Sequence, residues 1–323
     1  MIGEFAVYRG ADVRRLLDYD GCIRAVRAAM AGFTAAGGEQ PLRSILRLGA
    51  DKVWGLMPGA LPAPDGFGAK IVTAFVDPQC PGRSQHQGVV VVFDRESGAV
   101  VCVADAGELT KIRTAAASAV ATDMLARRDA SRLAIFGYGA QAETHLRAIA
   151  RVRRLEEVLI WGRSLDSAAR FAARMAAETG LTLRAVADAR DAAESADIIC
   201  TVTSASTPIL LGAWVRPGTH VNTVGSSYPG PVEIDSDLVV ASRYIADSRR
   251  SALAAAAEFL LAKQAGLIDD AHIVAEIGEV LLGRASGRTA STDITLYKSL
   301  GHIVQDLAAA TYVHARATGA ARA

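Results

Sequence analysis

The glycines of Gly137-x-Gly139-x-x-Ala142 are spaced to cradle a phosphate. They follow the apolar run Leu133-Ala134-Ile135-Phe136 and precede a helix-prone run over residues 143–150. This is the turn of a dinucleotide-binding βαβ unit. The first glycine makes a turn that a side chain would block. The second lets a pyrophosphate reach the backbone, and the small third residue lets helix and strand pack closely. The phosphates then sit at a helix N-terminus, where unpaired N–H groups and the dipole favour anions. Such a turn points to a nicotinamide or flavin nucleotide, and its context decides how much weight it bears.

A second apolar run, Glu157-Val158-Leu159-Ile160-Trp161, ends in Gly162-Arg163-Ser164. An NAD-binding unit carries an acid near this point to hold the ribose 2′-OH. Here Arg163 and Ser164 stand instead. A guanidinium and a hydroxyl suit a 2′-phosphate, which a carboxylate would repel. The preferred cofactor is therefore NADP(H), with NAD(H) as the alternative. The competing reading of Arg163 is an ordinary exposed loop arginine.

Three cations nearer the N-terminus also have the chemistry of a site. Arg43 lies just ahead of a strand candidate. Lys70 is embedded in Phe67-Gly68-Ala69-Lys70-Ile71-Val72, and Arg113 in Leu109-Thr110-Lys111-Ile112-Arg113-Thr114-Ala115-Ala116-Ala117. Cations among small apolar residues are costly to bury unless an anion pairs with them. A substrate carboxylate would serve. Equally, each could reach solvent or pair with a distant Asp or Glu, and spacing does not establish that they converge.

The elements that must position these residues fall into two groups. From the fingerprint onward, strand candidates alternate with Ala-rich helices, notably residues 166–179. The strands are Ala196-Asp197-Ile198-Ile199-Cys200-Thr201-Val202-Thr203 and His220-Val221-Asn222-Thr223-Val224-Gly225, with Leu238-Val239-Val240-Ala241 and Tyr244-Ile245-Ala246 as shorter ones. Alternation argues for a parallel sheet. Ligands then bind beyond the carboxyl ends of its strands, where Thr203-Ser204 and Gly225-Ser226-Ser227 join the Gly137 turn. Before the fingerprint, a helix is predicted over residues 11–36, ended by Gly37-Gly38. Five short strands follow, around Ile45, Leu56, Ile71, Val91 and Val101, separated by Gly and Pro. They read as a mixed or antiparallel sheet. Residues 109–127 then form a helix into the nucleotide domain. The expected division is 1–118 with 300–323 as a smaller α+β substrate and dimerisation domain, and 119–299 as a Rossmann domain.

Composition narrows the function classes. A chain of 323 residues buries a large core. A formal net charge of +1 suggests neither nucleic acid nor a polybasic membrane contact. No apolar run reaches membrane-spanning length, and the start lacks the pattern of a signal peptide. Cys22, Cys80, Cys102 and Cys200 are scattered without C-x-x-C spacing, so they read as reduced packing residues of a cytoplasmic protein. The six histidines show no zinc-binding spacing, and no metal is expected.

In these residues the chain resembles the ornithine cyclodeaminase/mu-crystallin family. The matching motifs are Pro41-Leu42-Arg43, Leu56-Met57-Pro58, Gly68-Ala69-Lys70, His86-Gln87, Leu109-Thr110 with Arg113-Thr114-Ala115-Ala116, Gly137-x-Gly139-x-Gln141, Val224-Gly225-Ser226-Ser227 and Lys298-Ser299-Leu300-Gly301. The resemblance implies a homodimer with a substrate domain, a Rossmann domain and a C-terminal helix returning to the first. It makes Arg43, Lys70 and Arg113 the carboxylate-binding and catalytic cluster, with Ser227 beside the substrate. It places His86 near the nicotinamide, Arg113 and Thr114 among the cofactor-binding residues, and Gly137, Gly139, Ala140, Gln141, Arg163 and Ser164 at the phosphates. Thr203, Ser204, Val224, Gly225, Ser226, Ser299 and Gly301 complete the cofactor set. For Asn222 and Thr223 the competing reading is strand residues without ligand contact. Glu258, where relatives often have an acid, reads as a solvated helix carboxylate. The last helix is predicted over residues 294–317, with Leu300, Ile303, Val304, Leu307 and Tyr312 on a core-facing side.

Two departures from the cyclodeaminases are informative. They carry an acid where Ser227 stands, and a glutamate where Gly55 stands. Both losses remove carboxylates that would hold and activate a diamine. What remains suits NADPH-dependent reduction of a small, cyclic ketimine carboxylate, such as Δ1-pyrroline-2-carboxylate or Δ1-piperideine-2-carboxylate. The rivals are an alanine dehydrogenase-like enzyme, an ornithine cyclodeaminase, and a protein that retains nucleotide and ligand without turnover.

Overall fold

A computed structural model describes residues 5–49, 52–62, 65–75, 86–227, 230 and 232–320. The chain divides into two compact units. One holds residues 1–114 and 302–323, the other residues 115–301.

Unit 1 begins with β1 (Ala6–Tyr8), α1 (Gly10–Leu16) and α2 (Tyr19–Ala35). The single helix expected over residues 11–36 is thus two. The break is at Asp18, whose carboxylate caps α2 by accepting a hydrogen bond from Gly21 N at 2.7 Å. Then come β2 (Ser44–Gly49), β3 (Lys52–Pro62), β4 (Asp65–Phe75), β5 (His86–Phe93) and β6 (Val100–Asp105). They form a mixed sheet in the order β1-β6-β5-β4-β3-β2, antiparallel except for the β1–β6 pair. Met57 faces Lys70 across the β3–β4 register. After β6 the chain enters α3 (Ala106–Leu125) directly, and Asp105 accepts Glu108 N at 2.8 Å to start it. Small residues dominate α3, and Ala115, Ala116, Ala119 and Ala121 are fully buried, which suits a helix covered on several sides.

Unit 2 is built on eight parallel strands. These are β7 (Arg132–Phe136), β8 (Glu157–Trp161), β9 (Leu183–Ala185), β10 (Ile198–Thr201), β11 (His220–Thr223), β12 (Ser242–Ala246), β13 (Ile273–Glu276) and β14 (Ile294–Lys298). Their order is β13-β12-β14-β11-β10-β7-β8-β9. Helices α4 (Ala140–Ile149), α5 (Leu165–Thr179), α6 (Ala189–Ser195), α7 (Ser236–Ala241), α8 (Arg249–Ala255), α9 (Ala257–Gln264) and α10 (Ile277–Leu281) connect them. The apolar run of β7 is wholly buried, as a strand of a parallel sheet covered on both faces must be. Chain order reverses between β7 and β10, the switch point where such sheets bind ligands.

Two sequence expectations fail here. Residues 238–241 form the end of helix α7 rather than a strand, because Asp235 caps that helix through Leu238 N at 3.0 Å. Residues 294–298 are strand β14, seated between β11 and β12, rather than the start of the last helix. That helix, α11 (Ile303–Thr318), begins after Gly301 and returns to unit 1, where it packs on α2 and β3. Ile303, Val304 and Leu307 are fully buried on its inner face, as the sequence pattern implies. Among the described residues no helix is long and apolar enough to cross a membrane, and Cys22, Cys102 and Cys200 are free, buried thiols.

Candidate functional site

In unit 1, strand β4, helix α3 and helix α11 bring three charged side chains together in the interior. Lys70 and Arg113 are each 4% exposed and Asp306 is 0% exposed. Lys70 Nζ donates to Asp306 Oδ1 at 3.1 Å and to Thr110 Oγ1 at 2.6 Å. Arg113 Nε donates to the same Oδ1 at 2.9 Å, and its Nη1 donates to Gln305 Oε1 at 3.0 Å. Asp306 Oδ2 has no hydrogen-bond partner among the described residues. Burial pushes the Lys70 ammonium down to about 8; Asp306 opposes this, while the positive charges of Arg113 and Arg43 add to it. Arg43, half-buried just before β2, is therefore near enough to act on Lys70. The three cations expected from the sequence share one neighbourhood, and two of them, Lys70 and Arg113, share Asp306 as their acid. Lone burial of either cation would be severely unfavourable, so the shared carboxylate stabilises the pair. His302 caps α11 through Val304 N, and burial holds its imidazole neutral, with its pKa down at about 3.

In unit 2, the Gly137 turn has the geometry of a phosphate cradle. Gly137 adopts φ +130°, and a Cβ there would meet Val202 O at 3.1 Å. Gly139 is the N-cap residue of α4, and no side chain caps the helix. A Cβ on Gly139 would meet nothing within 4 Å, so the ground above the helix start is open. Ala142 is fully buried against the sheet. This donor set and open surface fit a pyrophosphate. Ala140 opens the helix on its exposed side. Gln141 is held from below: His145 Nδ1 donates to Gln141 O at 2.7 Å, and its Nε2 meets Ser118 Oγ at 2.9 Å. Burial holds that imidazole down at about 4, so it is neutral near pH 7. Gln141 Oε1 is buried and has no partner among the described residues. At the end of β8, Arg163 is exposed. The Ser164 hydroxyl caps α5 by accepting Ser167 N at 3.2 Å, so a helix end already engages it.

The loops after β10 and β11 rest on two buried acids. Glu233, 0% exposed, accepts hydrogen bonds from Thr201, Thr203 and Gly225. Burial pushes its carboxyl up, and the donors from Thr203 and Thr201 oppose that. Glu258 is 1% exposed, so the reading of it as a solvated carboxylate is wrong. Lys298 Nζ donates to Glu258 Oε2 at 2.9 Å and to Ser226 O and Oγ, both at 2.6 Å. Ser226 Oγ in turn donates to Glu258 Oε1. The Ser226 side chain, expected at the cofactor, is thereby engaged beneath its own loop. Thr203 is half-buried and Ser204 exposed on the β10 loop. On the β11 loop Val224 is buried, and Gly225 and Ser227 are half-buried.

The remaining expected site residues are placed as follows. His86 opens β5, and its side chain lies outside the described residues. Thr114 is buried in α3. Ser299 and Gly301 follow β14 and are buried; Ser299 Oγ has no partner among the described residues, and Gly301 N donates to Asp247 Oδ2 at 2.6 Å. Asn222 Nδ2 donates to Thr122 Oγ1 at 3.0 Å within the core. Sequence reasoning missed Asp306, Gln305 and Glu233. A signal for the first existed: an acid stands between Ile303, Val304 and Leu307 on an apolar helical face.

Comparison with known proteins adds the following. Residues 4–321 match the model of the ornithine cyclodeaminase/mu-crystallin family. The chain is 34% identical over 293 residues to the ketimine reductase mu-crystallin of Mus musculus, covering 90% of each chain. It is 31% identical over 306 residues to a Δ1-pyrroline-2-carboxylate reductase of Bacillus cereus, covering 94% of each. The structure of the Thermococcus litoralis Δ1-pyrroline-2-carboxylate reductase, in complex with NADH and L-proline, superimposes with a TM-score of 0.93 at 30% identity, covering 98% of each chain.

Proposed function

The chain belongs to the ornithine cyclodeaminase/mu-crystallin family, and from that premise we propose that it reduces a small ketimine carboxylate to the L-amino acid with a nicotinamide dinucleotide. One observation carries this reading: Lys70 and Arg113 are buried on a single Asp306 oxygen, with Arg43 near. Two cations on one carboxylate leave positive charge for a monoanion. The substrate class is a cyclic imine such as Δ1-pyrroline-2-carboxylate or Δ1-piperideine-2-carboxylate, giving L-proline or L-pipecolate. Gly55 supports it against a diamine substrate. That position is buried, and a Cβ there would meet Ile45 Cδ1 at 3.4 Å, Val72 Cγ2 at 3.5 Å and the acceptor Ser44 O at 3.9 Å, so among the described residues none of the three nearest atoms is a donor at the place where the cyclodeaminases hold an acid.

The residues divide the work. Arg113, fixed by Asp306 and Gln305, presents a planar fork to the substrate carboxylate, and Arg43 adds a second. Lys70 hydrogen-bonds the substrate, and its Nζ, with a pKa of about 8, holds a proton that a neutral imine nitrogen can take near pH 7. A bound reduced nicotinamide supplies the hydride. Arg163 at the end of β8 supports NADPH over NADH, because no carboxylate stands there to hold a ribose 2′-OH.

The test is NADPH consumption across a panel of cyclic ketimines. The expected outcome is turnover without added ammonium. Activity with ornithine alone, and no net cofactor turnover, overturns the reading. A strict ammonium requirement with an acyclic oxo acid points to an amino-acid dehydrogenase instead.

A homodimer accompanies this reading. Edge strand β2 is exposed along its whole length, and Ile45, Leu46 and Leu48 are 51%, 55% and 52% exposed. A bare apolar edge invites a partner strand or face. Light scattering of the purified chain would return twice the monomer mass; a monomer at micromolar concentration removes the inference.

A further inference from the structure

Glu233 binds two loops into one piece. Its Oε2 accepts Thr201 Oγ1 at 2.8 Å and Gly225 N at 2.7 Å. Its Oε1 accepts Thr203 N at 2.6 Å and Thr203 Oγ1 at 2.8 Å. A carboxylate offers about four lone-pair sites, and these donors fill them. Three come from the end of β10 and the loop after it, and one from the loop after β11. The loops lie so close that a Cβ on Gly225 would fall 1.9 Å from Thr203 O. Glu233 N donates to Glu258 Oε1 at 3.3 Å, which ties this acid to Lys298 and Ser226 below.

Sheet order assigns these loops to one half of a dinucleotide. The pyrophosphate cradle is the turn between β7 and α4. Arg163, the candidate for the adenosine phosphate, follows β8 on one side of that turn; β10 and β11 lie on the other side. The loops after β10 and β11 therefore serve the second nucleotide. We propose that Glu233 is a positioning residue for the nicotinamide half of the cofactor, fixing Thr203 and Gly225 from beneath without itself touching the ligand. This rests on the dinucleotide reading above.

The chemistry requires an acid and not its amide. In Glu233→Gln one oxygen becomes an NH2 group. Whichever way the amide turns, that group faces a backbone N–H, of Thr203 or of Gly225, which cannot rotate away. One buried donor is left unsatisfied, and the loop carrying it must shift.

The test separates the halves of the ligand. Wild-type, Glu233→Gln and Thr201→Val chains are titrated with NADPH and with 2′,5′-ADP, which contains the adenosine half alone. Glu233→Gln is expected to weaken NADPH at least about tenfold and 2′,5′-ADP less than about twofold. Thr201→Val removes one donor and keeps the acid, so it shows the same split at about two- to fivefold. Equal weakening of both ligands, or of neither, overturns the proposal. If Glu233→Gln does not fold, Thr201→Val decides alone by the same criterion. Should the wild type bind NADH and not NADPH, NADH and 5′-AMP take their places with the same expected split. A wild-type chain that binds no dinucleotide overturns the cofactor reading and this proposal with it, a failure visible without any variant.

Discussion

Lys70 and Arg113 meet on a single oxygen: Asp306 Oδ1 lies 3.1 Å from the ammonium and 2.9 Å from Arg113 Nε. The three groups come from β4, α3 and α11, and all are buried. One carboxylate cannot cancel two cations, so the cluster is primed for an anion and is sensitive to pH.

Affinity for a carboxylate ligand should fall as pH rises through about 8, where Lys70 loses its proton. Pyrrole-2-carboxylate, which lacks a titrating imine, reads this directly through its dissociation constant between about pH 6 and 10. Lys70→Met should bind more weakly and show no such fall. Stability moves the other way. The folded value lies below the ordinary 10.5, so between about 8 and 10.5 the unfolded chain binds more protons and this group's contribution to stability rises with pH. A flat affinity profile in the wild type would remove Lys70 from the ligand site.

Asp306→Asn leaves two buried cations without their acid. The expected cost is about 3–5 kcal/mol in urea unfolding. Because Asp306 raises the Lys70 pKa, its loss should also move the alkaline fall in ligand affinity to lower pH. Unchanged stability together with an unmoved profile would show that the acid is not coupled to the cations.

Arg163→Ala should separate the two nicotinamide cofactors. Losing a charge-assisted contact to a 2′-phosphate weakens NADPH by at least about tenfold and leaves NADH within about twofold. Parallel titrations by ligand fluorescence check this. Equal effects on both cofactors would return Arg163 to the status of a loop cation.

Glu258→Ala should destabilise unit 2 by about 3–5 kcal/mol, because Lys298 would remain buried without its partner. The double variant Glu258→Leu, Lys298→Met should recover much of that loss, since it removes both charges. Urea midpoints of the single and double variants measure the difference. A neutral single variant would mean that Lys298 has another anion.

What the sequence by itself determined was local. The Gly137 turn, the strand of residues 157–161 and the helix of residues 166–179 rest on contiguous residues whose turn chemistry and periodicity need no distant partner. The α/β class followed from their alternation. Short segments escaped that logic: residues 238–241, rich in strand-forming valine, are helix, and residues 294–298, read as the start of a helix, are a central strand. Asp235 caps the first, whereas the second pairs with β11 and β12 on both sides.

Only the tertiary structure decided where the charges end up. Asp306 is 236 residues from Lys70, and Glu258 is 40 from Lys298. No periodicity connects such positions. Their pairing appears once β14 closes the sheet and α11 returns to unit 1. The physical reason is burial. An apolar helical face around Asp306 marks it as a carboxylate inside the fold, but not which cation it meets; a buried acid must find one, and the packed chain supplies it.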